Sequence, residues 1–211
     1  MDRGGVQNGG RTMEKKSDLR VSKTLRAIHA AFLELMVKKP VQKITVTELA
    51  QRAEISKGTF YLHYADIFDL YRRLVHDTVD KIAKSFDPYP ELFTDPEAFV
   101  RTFLFSQVEP LREGLTPGEY ALLLEKNIQH CSDYPQCFID AFKAQIYQVG
   151  KLVPCEENDI KLEFLLTGML SVVVRYRPQA RGDAEQREFV IQFLTDVVKE
   201  TFPEFYRAPA P

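Results

Sequence analysis

Apolar residues recur along this chain every three to four positions, the spacing of an amphipathic helix. Leu25, Ile28, Ala31, Phe32 and Leu35 share one face of a helix predicted over Ser22–Val37. Lys38-Lys39-Pro40 closes it, because cations suit the C-terminal dipole and proline cannot continue the helix. Val46, Leu49, Ala50 and Ala53 define a second, short helix. Thr45 is its N-cap, and Glu48 three residues on predicts a capping box. Ile55 plugs the following turn and Ser56 caps a third helix over Lys57–Tyr64, in which Phe60 and Tyr64, at i and i+4, point inward. A fourth helix over Ile67–Ser85 is capped by Asp66 and carries the stripe Leu70, Leu74, Val75, Val79 and Ile82, until Asp87-Pro88-Tyr89-Pro90 breaks the chain. Asp95 and Pro96 open a fifth, to Val108. Further apolar stretches predict helices over Gly118–Ile128, Cys137–Leu152, Glu157–Arg177 and Asp183–Thr201, with a loose tail over Phe202–Pro211. No stretch alternates with the period of a strand. The pattern is all-α, with about nine helices.

Two features of this pattern carry function. The third helix is too short and polar to be a core element, yet Ser56, Lys57, Thr59, Tyr61 and His63 all offer hydrogen-bond donors. Lys57 and the Gly58 N–H stand at its N-terminus, where a phosphate or a guanine edge is well received. Leu62 faces outward and suits a thymine methyl, while Tyr61 and His63 reach for the backbone or a base edge. The second feature is the run FLLTGMLSVVV over 164–174, apolar nearly all round, which must be covered on several sides. Gly168 inside it is costly for a helix unless something packs closely there. Phe164, Leu165, Gly168, Met169, Val172 and Val173, with Phe189, Phe193 and Val197 of the last helix, are the expected dimer interface, pairing with their copies as a four-helix bundle.

Charge sharpens the first feature. Residues 1–64 carry 12 Lys and Arg against 6 Asp and Glu, whereas residues 65–211 carry 16 against 24. The basic part is the part that holds the donor-rich helix, so it is the part expected to meet a polyanion. Residues 1–16 are Gly-rich and without periodicity, which reads as a disordered tail. No run of eighteen apolar residues predicts a membrane span and no h-region predicts secretion, so the expected location is the cytoplasm. Cys131, Cys137 and Cys155 lack metal-ligand spacing and read as reduced thiols, and His29, His76 and His130 read as isolated. No metal or other cofactor is expected. No catalytic motif is present, and no enzyme is predicted.

The segment SKGTFYLHY followed by DIFDL resembles the DNA-binding signature of the TetR family of bacterial transcriptional repressors. TLRAIHAAFLELM at 24–36 and ITVTELA at 44–50 match that family's first and second helices in order and spacing. The resemblance covers about Val21–Leu74. It implies a helix-turn-helix at 45–64 within a DNA-binding head over 18–66, preceded by the tail over 1–17. A helical effector-binding and dimerisation domain follows over 67–211. Thr45 and Thr47 join the DNA-contact set Ser56, Lys57, Gly58, Thr59, Tyr61, Leu62 and His63 because the family places phosphate-touching hydroxyls there. The implied partners are double-stranded DNA with an inverted-repeat operator, a second copy of the chain and an unidentified small-molecule effector; no membrane is involved. The implied function is a dimeric repressor released from a palindromic operator by a small, largely apolar ligand. Its alternative is an architectural or cell-cycle DNA-binding protein of the same fold with no small-molecule effector. The resemblance places a ligand pocket in the body, and Phe99, Phe103, Leu123, Phe142 and Tyr147 are the candidates for its lining. Two positions depart from the family pattern. Glu54 stands where glycine is usual, at a turn that tends to positive φ, and Ile67 replaces a lysine that reaches phosphate.

Overall fold

A computed structural model of the chain describes residues 10–106, 114–176 and 184–206. Among these are eleven α-helices and two short 3-10 turns, and no strand. The helices are α1 Gly10–Lys38, α2 Val46–Arg52, α3 Lys57–Tyr61, α4 Ile67–Ser85, α5 Glu91–Thr94 and α6 Pro96–Ser106. They continue with α7 Pro117–Leu122, α8 Glu125–Ile128, α9 Tyr134–Gln148, α10 Glu156–Tyr176 and α11 Ala184–Thr201. The 3-10 turns are Val41–Lys43 and Pro203–Phe205. The all-α expectation holds, and the count exceeds nine for a local reason. The stretch expected as one helix over Gly118–Ile128 breaks into α7 and α8 where Leu124 takes an extended conformation (ψ 141°), and α5 forms in a stretch that the sequence pattern places between helices.

The first helix begins at Gly10 rather than near Ser22. It therefore runs through part of the stretch expected as an irregular tail. Arg11, Met13, Glu14, Lys15 and Lys16 are good helix formers. Extending an existing helix costs far less than nucleating one. Residues 1–9, including Arg3, lie outside the described residues.

The chain groups into two compact units. One gathers Met1–Leu74 with Pro117–His130, and the other gathers Val75–Thr116 with Cys131–Pro211. In the first unit, the stripe read from the sequence is inside: Ile28, Phe32, Leu35, Leu49, Phe60 and Leu70 are each at most 3% exposed. The stretch 117–130, which the resemblance places in the body, packs on α1. At Gly118 a Cβ would lie 2.5 Å from Leu33 Cβ and 2.8 Å from the Leu33 carbonyl oxygen, so the two backbones meet with no room for a side chain. Two buried polar groups secure the same contact. Asn127 is fully buried, donates to the Ala121 carbonyl at 2.6 Å and accepts from Val41 N–H at 3.2 Å. The Tyr71 hydroxyl donates to the Leu122 carbonyl at 2.8 Å.

The second unit is centred on aromatic rings from the segment that follows α4, from α6 and from α9: Phe86, Tyr89, Phe99, Phe103, Phe138 and Phe142, whose neighbouring centroids lie 4.3–6.2 Å apart. Edge-to-face contacts dominate, as the ring quadrupole favours. Around them α10 buries Leu162, Leu165, Leu166, Met169, Leu170 and Val173, and α11 buries Ile191, Leu194 and Val198. The C-terminal segment is not loose where it begins. Phe202 is fully buried, and Phe205 meets Phe93 edge to face at 4.8 Å.

Candidate nucleic-acid interface

The interface is built from two short helices and the turn between them. Thr45 caps α2, its hydroxyl accepting from Glu48 N–H at 3.3 Å. The expected capping box is half made, because the Glu48 carboxylate is taken by the Lys39 ammonium, tying the end of α1 to α2. The turn after α2 satisfies its last carbonyls by two bonds, Ile55 N–H to Ala50 (3.0 Å) and Glu54 N–H to Gln51 (3.3 Å). These are the bonds of a Schellman C-cap, which needs a left-handed residue at the position of Glu54. Glu54 has φ +54° and is the one non-glycine residue with positive φ among the described residues. The backbone has kept the geometry that suits glycine and accepts the strain of a Cβ. Glu54→Gly is expected to raise the stability of the head by about 1 kcal/mol, read as a higher urea midpoint at unchanged slope. A lower midpoint would mean that the Glu54 side chain contributes more than the strain costs.

Ser56 then caps α3, accepting from Thr59 N–H at 3.0 Å, and its hydroxyl lies 2.8 Å from that of Thr59. Phe60 (fully buried) and Tyr64 (5% exposed) pin α3 inward. The Tyr64 hydroxyl meets His29 Nε2 at 2.6 Å, and the Arg73 guanidinium stacks 5.2 Å over its ring. Tyr64 is therefore core, and His29 is its partner rather than an isolated histidine. The helix after the motif opens with a reciprocal pair: Asp66 accepts from Asp69 N–H (2.8 Å) and Asp69 from Ala65 N–H (3.0 Å). The Ala65 N–H, helped by Arg73, holds the Asp69 carboxyl below the usual carboxylate range.

With the inner face so occupied, the outer face is fixed. Thr45, Thr47, Ser56, Lys57 and Gly58 are exposed, and Thr59 and His63 are half-buried. Tyr61 is 57% exposed, and Leu62, at 81%, is the most exposed large apolar side chain among the described residues. Eight of the nine expected contact residues thus lie on α2, α3 or their caps, and His63 follows the C-cap Leu62, because α3 ends at Tyr61 rather than at Tyr64; Thr45, Ser56 and Thr59 also use their hydroxyls locally. Ile67 is only 7% exposed, so the place where a phosphate-seeking lysine was expected points into the core.

The other two expected sets divide. Of the interface set, Phe164 (69%), Phe189 (68%) and Phe193 (54%) are exposed, as is Gly168, and Val172 and Val197 are half-buried. Leu165, Met169 and Val173 instead face the core of their own unit, at 8% exposure or less. A helix apolar all round has a face for its own core as well as one for a partner, and periodicity does not separate the two. The pocket set comes apart. Phe99, Phe103 and Phe142 are fully buried among other rings. A cavity wide enough for water would leave open surface on the rings lining it, so these three are core packing. Leu123 belongs to the first unit, and the Tyr147 hydroxyl donates to Asp159 at 2.8 Å.

Sequence spacing also missed a cluster. His76, Cys131 and Asp133 come together although 55 residues separate the first two.

A short, donor-rich helix held across a tight turn by two buried aromatic anchors defines a helix-turn-helix head of the DNA-binding class. The pattern of the bacterial regulatory proteins, tetR family, matches residues 28–74. A Bacillus subtilis (strain 168) protein described as the uncharacterized HTH-type transcriptional regulator YxbF is 31% identical over 68 residues, 32% of this chain and 18% of that protein. The chain thus spans under a fifth of that relative's length. A TetR transcriptional regulator from Rhodococcus sp. RHA1 superposes with a TM-score of 0.49 at 19% identity, over 86% of this chain and 97% of that one. Residues 28–74, which make up most of the head, thus carry the pattern of the bacterial regulatory proteins, tetR family. Among the described residues no helix is long and apolar enough to cross a membrane.

Proposed function

We propose that this chain is a sequence-specific transcriptional repressor that binds an inverted-repeat operator as a homodimer in the cytoplasm. The observation that carries the reading is the outer face of α3: Lys57 and Gly58 exposed at its N-terminus, Tyr61 and Leu62 exposed a turn on, and Phe60 and Tyr64 holding the helix in place. That face fits a major groove, with Lys57 near a phosphate or a guanine edge and Leu62 near a thymine methyl. Dimerisation draws support from two exposed rows at i, i+4 spacing, Ile160-Phe164-Gly168 on α10 and Phe189-Phe193 on the adjoining α11. Nothing lies within 4 Å of where a Gly168 Cβ would be, so a second helix has room to approach. Two-fold protein symmetry then requires two-fold half-sites with centres about 34–36 Å, or a multiple of that, apart.

The test is selection from a random DNA pool, followed by binding at several salt concentrations. An inverted repeat is expected, and DNA without one would refute the dimeric reading. Lys57→Ala is expected to weaken operator binding by about 1–3 kcal/mol, to relax choice at one base position and to lower the salt slope by about one unit. His63→Ala, just beyond the C-cap of α3 and on the side of the backbone wall of the groove, is expected to weaken all sequences alike. Affinity, slope and preference all unchanged in Lys57→Ala would remove α3 from the groove.

The filled aromatic cluster favours a second reading of control: an apolar effector that used the space of Phe99, Phe103 and Phe142 would have to displace packed rings, so regulation without such an effector is the simpler form. Thermal denaturation against a panel of apolar ligands separates the two, since any ligand that binds the folded state raises the midpoint in a concentration-dependent way.

A further inference from the structure

We propose that His76, Cys131 and Asp133 form a binding site for a divalent transition-metal ion of the zinc type. The three offer an imidazole nitrogen, a sulfur and a carboxylate oxygen, all within 4.8 Å of one another. Asp133 stands in the middle: one oxygen lies 2.9 Å from His76 Nε2, and the other accepts from Cys131 Sγ at 3.3 Å. Metal–ligand bonds of about 2.0–2.3 Å in tetrahedral geometry separate donors by about 3.3–3.6 Å, so the ion needs shifts of well under an ångström at these two contacts and of about 1 Å at most between His76 and Cys131, whose ligand atoms lie within 4.8 Å. All three residues belong to the same compact unit, His76 on α4 and the other two just before α9.

Three observations go beyond proximity. The donor set mixes thiol, imidazole and carboxylate, which suits a borderline-soft ion and not magnesium or calcium. Asp133 occupies the N-cap position of α9 yet makes no side-chain cap bond; its carboxylate is turned to His76 and Cys131 instead. The burial is that of a site with one open side, because the Cys131 residue is 3% exposed whereas the His76 and Asp133 side chains are 45% and 47% exposed. Binding replaces the two internal hydrogen bonds. The Cys131 thiol proton leaves to solvent, and the sulfur enters as thiolate. His76 binds as the neutral imidazole through Nε2. Thiolate and carboxylate together balance the two positive charges, and water takes the fourth position.

The test uses the full reduced chain with cobalt(II) and zinc(II) alone. Cobalt(II) is expected to bind one per chain, with thiolate-to-metal charge-transfer absorption and visible bands of tetrahedral intensity, both erased by zinc(II). Cys131→Ser should abolish the charge-transfer absorption and weaken zinc(II) binding more than about tenfold. His76→Gln should weaken it similarly and, at an exposed position, carries the test if Cys131→Ser does not fold. Cys137→Ser and Cys155→Ser should bind as the parent chain does. The proposal is overturned if the parent chain binds no stoichiometric metal, if His76→Gln binds as tightly as the parent, or if the charge-transfer absorption follows Cys137 or Cys155 instead of Cys131.

Discussion

Gly118→Ala is expected to destabilise the head-containing unit by about 3 kcal/mol, at the upper end of the usual cost of overpacking. The added methyl would stand 2.5 Å from Leu33 Cβ and 2.8 Å from the Leu33 carbonyl oxygen. A flexible side chain could swing away, but a helix backbone cannot, so α7 must lift off α1. Lifting it would strain the Asn127 bonds to Val41 and Ala121 and the Tyr71 bond to Leu122. Buried groups left without partners add to the cost. Urea denaturation followed by circular dichroism reads the loss, with Gly114→Ala as the control, since nothing lies within 4 Å of a Cβ there. Equal midpoints for Gly118→Ala and the parent would show that the α1–α7 contact is loose.

The double change Phe189→Asp with Phe193→Asp is expected to convert a dimer into a folded monomer and to cut affinity for a full operator by about 100-fold or more, the advantage of linked over single-site binding. The two rings stack at 6.3 Å on the outer face of α11 and have no core role to lose. Introducing charge there leaves helicity intact while making burial against a copy costly. Leu170→Glu and Val173→Asp provide the contrast. Both residues are under 9% exposed in their own unit, so these changes should unfold the protein rather than divide a dimer. Sedimentation with far-ultraviolet circular dichroism distinguishes the cases. A double variant that still sediments as a dimer would move the interface elsewhere.

The head was legible in the sequence because its signals are local. Thr45, Ser56 and Asp66 cap the next helix through N–H groups three residues away or less. The bounds of α4 follow from a cap and a stripe, and the positive φ at Glu54 follows from the turn. The outward set on α3 is what remains once Phe60 and Tyr64 are turned inward. These consequences act within a helical turn or two, so the residue order by itself determined them.

What only the tertiary structure decided concerns faces and distant partners. Periodicity marks 164–174 as apolar all round, but the packing of α10 chose Leu165 and Met169 for its own core and left Phe164 outside. Aromatic content in the body is the same whether rings line a space or fill it, and here they fill it. The assignment of 117–130 to the first unit rests on one missing Cβ against a backbone 85 residues earlier. The meeting of His76 with Cys131 and Asp133 rests on the segment before α9 reaching the His76 side chain of α4. Such contacts depend on how whole helices dock, and docking is set by the summed burial of many side chains rather than by any spacing along the chain.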